Sequence, residues 1–253
     1  MMSPAKRKRI IITCIVLATI AMISFVEKKR SDMVCKNINI HVDNQLGNYF
    51  IDENDVMSIL TNDNDDMLIG VPFEKIDLKH LEERLERHAY VYRAEVHKDL
   101  KGNLNTEVFQ SRPVARLTYS GNNDKYINHL GEVIPISQKY TSRVLLINGY
   151  ISAHLEEESV MENEFGQQLM EMINHINKDK FWKAMVAQLE IDKKGNIRIY
   201  TQVSKQIVEF GPPEDLDDKF KKLKIFYKDI LPTKGWNTYE RVSVKFKNQI
   251  VCE

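Results

Sequence analysis

Few residues in this sequence have the types and spacing that chemistry demands. Asp63-Asn64-Asp65-Asp66 offers the oxygen donors that open a calcium loop. The glycine and closing glutamate do not follow at the offsets such a loop requires, so the stretch reads as a solvated turn. Glu156-Glu157-Glu158 gathers three carboxylates, but no complementary acid, base or nucleophile stands out, and an exposed acidic turn is the simpler reading. The seven histidines (His41, His80, His88, His97, His129, His154, His175) are scattered and make no metal-ligand spacing. Phosphate-cradling glycine loops, nucleophile elbows, zincin helices and Cys-x-x-Cys pairs are all missing from the sequence. Lys219, Lys221, Lys222, Lys224 and Lys228 could meet an anionic surface but read first as a solvated helix face. The residues predict no metal, no cofactor and no catalytic centre. What is left is surface for binding.

That surface has to be positioned by elements, and the first of them is an anchor. Ile10 to Val26 is a run of 17 uncharged residues between Lys6-Arg7-Lys8-Arg9 and Glu27-Lys28-Lys29-Arg30. At a rise of about 1.5 Å per residue such a helix reaches roughly 25 Å, the short end of a membrane span. A cleaved signal peptide has a shorter apolar stretch and small residues at its exit, whereas this run leaves through Ala21-Met22-Ile23-Ser24-Phe25-Val26. The pattern therefore predicts an uncleaved transmembrane helix over 10–26 behind a cytoplasmic tip at 1–9. The tip has no acidic residue, while Glu27 and Asp32 dilute the basic residues beyond the run, which favours the N-terminus inside and the bulk outside.

Composition fits one span with a soluble remainder. Basic and acidic residues balance at 36 each, and mean hydropathy is −0.39. With no basic excess, nucleic-acid binding is not expected. Cys35 and Cys252 sit at opposite ends of the remainder, and nothing in the pattern brings them together.

Residues 34–111 read as a first domain. Ile38-Asn39-Ile40-His41-Val42 alternates as a half-buried strand. Asp52 caps a helix with Val56, Ile59 and Leu60 on its apolar face, and Gly70-Val71-Pro72-Phe73 breaks the chain. A second helix from Asp77 carries Leu78, Leu81 and Leu85 on one stripe. Tyr92, Ala94 and Val96 alternate along a strand, a turn over Asp99 to Asn103 follows, and Leu104, Thr106 and Val108 return. The order β-α-α-β-β predicts a three-stranded sheet with both helices on one face.

This order after a single N-terminal anchor resembles a POTRA domain. Val91-Tyr92-Arg93-Ala94-Glu95-Val96 is similar to the strand that follows the second POTRA helix. Arg112-Pro113-Val114-Ala115 matches the motif that closes the POTRA domain in the FtsQ/DivIB cell-division family. Residues 112–253 continue the likeness. Lys125 to Ile134 resembles the family's Asp-x-x-Gly-x-Val hairpin with Asn128 in place of Asp. Ile147-Asn148-Gly149 resembles the end of another segment, with Leu145 where Pro is usual, and Tyr239 to Phe246 resembles the closing strand, with Ser243 and Lys245 in place of Asp and Arg.

Periodicity alone places a helix over about Glu162 to Asn177, with Phe165, Leu169, Met172 and Ile176 recurring on one face. Strands follow with Ala187, Leu189 and Ile191, then Ile197, Ile199, Thr201 and Val203, then Ile207, Val208 and Phe210. A last helix carries Leu216, Phe220, Leu223, Tyr227 and Ile230 on one stripe, and the chain ends with Val242, Val244 and Phe246 in alternation, then Asn248 and a short Ile250-Val251 strand. The fold class expected is α+β: a transmembrane helix, a POTRA domain, and a mixed α/β domain, the family's β domain, built on an antiparallel sheet.

The resemblance implies a non-catalytic scaffold of the division septum in the cytoplasmic membrane. It also implies FtsB- and FtsL-like membrane proteins and other division proteins as partners. A terminal strand with unpaired backbone groups is a recurring docking edge, and the candidate here is Val242 to Lys247 with the preceding helix as flank. Its residues are Tyr239, Val242, Ser243, Val244, Lys245 and Phe246, with Tyr227 from the helix; Arg112 and Pro113 close the first domain. Two rivals stand beside it. A POTRA-bearing chaperone would need a β-barrel that the remaining strands cannot form. An enzyme of the cell wall would need a constellation that the sequence does not offer.

Overall fold

A computed structural model of the chain describes residues 15–20, 22, 33–44, 47–119, 123–155 and 158–253. Residues 15–20 and 22 are helical with their side chains exposed. Among the described residues no helix is long and apolar enough to cross a membrane. The rest of the 10–26 run, and Glu156 and Glu157, lie outside them. The chain divides into two compact units, one of residues up to Gly47 with Ile51–Gln110, the other of Asn48–Phe50 with Ser111–Glu253.

In the first unit the order is β1 (Asn37–Asp43), α1 (Glu53–Leu60), α2 (Leu78–Glu86), β2 (Val91–Lys98) and β3 (Asn103–Gln110). Asp52 caps α1 by accepting from the Asn54 and Asp55 amides at 2.9 and 3.0 Å, while Asp55 reaches back to the Asp52 amide at 2.9 Å. This reciprocal box satisfies donors that the first turn cannot. Asp77 caps α2 one way only, accepting from the His80 amide at 3.0 Å. Val56, Leu60, Leu81 and Leu85 then enter one core with Val42, Leu104 and Val108. The sheet order is β1-β3-β2, with β1 parallel and β2 antiparallel to β3. Simple alternation puts Tyr92 inward, but the register shifts between Val91 and Arg93, so Val91 is buried and Tyr92 faces solvent.

The second unit holds β4 (Pro113–Leu117), β5 (Lys125–Asn128), β6 (Val133–Pro135), β7 (Leu145–Gly149), α3 (Glu164–Lys178), α4 (Lys180–Met185), β8 (Val186–Ile191), β9 (Ile197–Thr201) and β10 (Ile207–Gly211). It closes with α5 (Leu216–Ile225), a π-helical stretch Phe226–Ile230, α6 (Leu231–Lys234), β11 (Arg241–Ser243) and β12 (Val251–Cys252). Nine strands form one sheet in the order β12-β11-β10-β9-β8-β7-β4-β5-β6. The sheet is mixed, not antiparallel throughout: β4 with β7, β7 with β8, and β10 with β11 run parallel. Parallel neighbours need a crossover, and two of the crossovers carry the helices, α3 and α4 between β7 and β8, α5 and α6 between β10 and β11. Leu169, Met172 and Ile176 of α3 share a core with Leu189, Ile191, Ile197, Ile199, Val208 and Phe210. Ala187 is only partly buried because of a register shift between Val186 and Gln188, and Val203 lies beyond β9, exposed.

The hairpins β2–β3 and β8–β9 use one turn design, Asp-x-Lys-Gly-Asn, at Asp99–Asn103 and Asp192–Asn196. In each, the Asp carboxylate accepts from the Lys amide (2.8 and 2.7 Å) and from the Asn amide (2.8 and 2.9 Å). Gly102 and Gly195 take φ of +90° and +78°, the left-handed backbone that a side chain disfavours.

Candidate partner-docking edge

The ends of the nine-stranded sheet differ. At β6 the edge is closed. Pro135 lacks an amide donor there, the Val133 amide donates to Glu158 O at 2.8 Å, and the Val160 amide donates to Gly131 O at 2.8 Å. Asn128 organises the turn beside it, with Oδ1 accepting from the Leu130 and Glu132 amides at 2.9 and 3.0 Å. An Asp oxygen would accept the same two bonds, so the change to Asn leaves the hairpin intact.

At the opposite end the outermost strand is β12, and this corrects the candidate edge. The stretch 242–247 is not a free strand: β11 ends at Ser243 and has β10 on one side and β12 on the other. The chain reverses near Asn248, which takes φ of +58°. Arg241 and Glu253 then exchange backbone bonds, Arg241 N to Glu253 O at 3.1 Å and Glu253 N to Arg241 O at 3.0 Å. The outward groups of β11 are therefore already used. In an antiparallel pair with this register, the backbone N–H and C=O of Cys252 point away from β11. No other strand pairs with that side of β12 among the described residues. The open edge is β12.

The residues predicted for the edge separate into two groups. Val242, Val244 and Tyr227 are buried in the core, and Tyr239 packs against it with its ring 6.1 Å from that of Phe226. The Val244 amide donates to Glu209 O at 3.1 Å, so a proline there would break an internal bond rather than blunt an edge. Lys245 and Phe246 are exposed. Glu209 on β10 holds Lys245 Nζ at 3.0 Å and lies 3.8 Å from Arg241. Ser243 is buried, and its hydroxyl has no hydrogen-bond partner among the described residues. Arg112 is exposed, with its carbonyl taken by the His129 amide at 2.9 Å, and Pro113 is the buried first residue of β4.

Two lysines of the supposed solvated face turn inward. Lys222 is 8% exposed, and its ammonium donates to Val244 O at 3.2 Å and Phe246 O at 2.8 Å with Asp218 at 2.9 Å. It fastens the segment between β11 and β12 to α5. Lys219 donates to Pro212 O at 2.8 Å and lies over the Phe210 ring, and burial pushes its ammonium pKa down against the pull of Glu214 and Asp215. Sequence periodicity gave no sign of this, because the carbonyls that these lysines satisfy come from distant turns. Cys35 and Cys252 are both free thiols, and burial raises the pKa of each.

No group of three or more His, Cys, Asp or Glu side chains among the described residues could hold a metal ion. A groove of about 600 Å³ between α3 and the start of α5 is lined by Glu171, His175, Glu214, Asp215 and Asp217 among others. His175 lies flat on Phe220, 3.8 Å from Asp217, and no serine, threonine or cysteine lines the groove. The arrangement offers backbone edges and exposed side chains, which is chemistry for binding.

A family model described as FtsQ/DivIB, C-terminal related, matches residues 112–253, more than half of the chain. A POTRA-like domain model matches residues 33–109. No curated protein matches the sequence.

Proposed function

We propose a function from one premise: this chain belongs to the FtsQ/DivIB family of cell-division proteins. In this reading it is a non-catalytic scaffold that links other proteins at the division septum. The run 10–26 anchors it in the cytoplasmic membrane with its tip inside and its two domains, 34–111 and 112–253, outside. FtsB- and FtsL-like membrane proteins are its partners, and one of them adds a strand to β12.

The observation that carries the reading is the contrast between a blocked β6 and an open β12. Natural sheets cover or blunt their edges, so one left bare beside exposed Phe246 and Val251 is a place for another chain. β12 is only two residues long, and each backbone bond adds about 0.5–1.5 kcal/mol net. Docking there gains from confinement to one membrane, which raises the effective concentration of both partners.

The test uses the full chain in lipid nanodiscs and an FtsB–FtsL-like pair from the same cell. Cys252→Pro removes the outward amide of β12 and leaves the bonds to β11 in place, a position where an edge tolerates proline. Binding lost in a variant with an unchanged unfolding midpoint supports docking on β12. Binding unchanged by Cys252→Pro moves the docking site elsewhere, and no binding by the natural chain removes this partner pair.

A further inference from the structure

Among the described residues of the first unit from Met33 onward, which leaves out Asn48–Phe50 and with them exposed Tyr49, four large apolar side chains are exposed: Met67, Ile69, Tyr92 and Leu100. Three of them belong to the end of the unit where the chain enters. Residues 33–36 run between two loops. On one side Lys36 N donates to Gly102 O at 2.8 Å; on the other Cys35 N donates to Val71 O at 2.9 Å and Gly70 N to Cys35 O at 2.7 Å. The first loop carries Leu100, 89% exposed, and the second carries Ile69 and Met67, 57% and 81% exposed. Tyr92 stands at the other end of β2.

The turn itself does not call for a leucine. Its twin at Asp192–Asn196 makes the same bonds with Lys193 at the position of Leu100. An apolar side chain at the tip therefore answers to something outside the turn. Exposed Lys36 and Lys101 lie beside it and Lys98 lies above the Phe73 ring; the opposing charges are Glu74, Asp99 in the turn itself, and Asp63, Asp65 and Asp66 ahead of Met67, of which Asp66 is paired with Arg84. Between Val26 and Met33 lie six residues, so the two are at most about 25 Å apart. Three of them are Lys28, Lys29 and Arg30.

We propose that this end of the first unit seats on the lipid bilayer, with Leu100, Ile69 and Met67 entering the interfacial layer and Lys36, Lys98 and Lys101 at the level of the headgroups. The proposal rests on residues 10–26 being a membrane anchor. A bilayer fits better than a protein partner because three side chains on two loop tips fall far short of the roughly 800 Å² that each side of a stable protein interface buries. They suit a surface that the tether already holds close. Aliphatic tips with lysines behind them match the layering of acyl chain and anionic headgroup.

The experiment takes the full chain with Cys14, Cys35 and Cys252 replaced by Ala, and single cysteines at Leu100→Cys, Ile69→Cys or Tyr92→Cys carrying an environment-sensitive fluorophore. Each is reconstituted in vesicles of phosphatidylcholine, alone or with a minority of phosphatidylglycerol, with and without nitroxide-bearing lipid. The expected result is a blue-shifted emission at positions 69 and 100, quenched several-fold more by the lipid nitroxide than at 92, and strengthened by phosphatidylglycerol. Labels at 69 and 100 as solvent-exposed as the one at 92, in a chain that floats with the vesicles, overturn the proposal while leaving the anchor intact. A blue shift without lipid quenching assigns the tip to a protein surface and overturns it too. A chain that does not float with vesicles after an alkaline wash removes the anchor, and the proposal falls with it.

Discussion

Single residues set the turns of this protein, and two aspartates show how. Asp99 and Asp192 each receive several backbone bonds in the shared Asp-x-Lys-Gly-Asn turn, and both carboxyls are held below the ordinary carboxylate range. At Asp99 the chief cause is the bond from the Asn103 amide. At Asp192 burial acts in the opposite direction but is outweighed by the bonds from Asn196 and the Lys194 amide and by nearby Arg198. A folded pKa below the unfolded one means that the unfolded chain binds more protons in the interval between them. The stability contributed is full above the unfolded value of 3.8 and is lost as pH falls through the lower, folded value. Asp192→Asn therefore lowers stability at neutral pH, and the gap to the natural protein narrows below about pH 4. Urea unfolding of both proteins from neutral to strongly acid pH measures it; a gap that stays constant with pH would mean that the carboxylate charge does not hold the turn.

At the scale of elements, a glycine inside α3 reverses a general rule. Exchanging Gly for Ala in a helix ordinarily stabilises by about 0.5–1 kcal/mol. A Cβ on Gly166, however, would collide with Val160 O, a backbone atom that cannot swing aside. The first turn of α3, capped by Asn163 Oδ1 on the Gly166 amide at 2.8 Å, would have to lift off the segment before it. Gly166→Ala is expected to cost about 2 kcal/mol, a drop of roughly 4–8 °C in melting temperature. Thermal unfolding followed by circular dichroism decides it, and a variant more stable than the parent refutes the close approach. The helices were legible in the sequence because their signals are local: Asp52 and Asp77 as caps, Leu81 and Leu85 one turn apart, Leu169, Met172 and Ile176 on one face. The sheet was less so. A short last strand at Ile250-Val251 is legible after Asn248 and the structure has it at Val251–Cys252, but nothing in so few residues says that it pairs with β11 and so moves the edge outward. The inward turn of Lys219 and Lys222 was hidden for the same reason: helix spacing reports a face, not the carbonyls that a distant loop brings to it.

For the whole molecule the question is whether the run 10–26 can hold it at a membrane as proposed, and such an anchor would have little reserve. A run of 17 uncharged residues is at the lower limit for a span, so it tolerates few charges. Leu17 and Ile20, helical and exposed, sit near the middle of the run. An arginine at the centre of a spanning helix costs about 2.5–3.5 kcal/mol on an insertion scale, so Leu17→Arg with Ile20→Arg removes about 5–7 kcal/mol from insertion. The natural chain is expected in the membrane fraction after alkaline extraction and the double variant in the supernatant. The two compact units should keep their unfolding transitions in the variant, since none of their core residues changes. In the reading proposed above, confinement would let a two-residue edge and three apolar tips act together: each contact is weak alone, and a tether would supply the concentration that makes both effective. A natural chain released by the alkaline wash would remove that coupling, and β12 would then have to bind its partner by its own contacts alone.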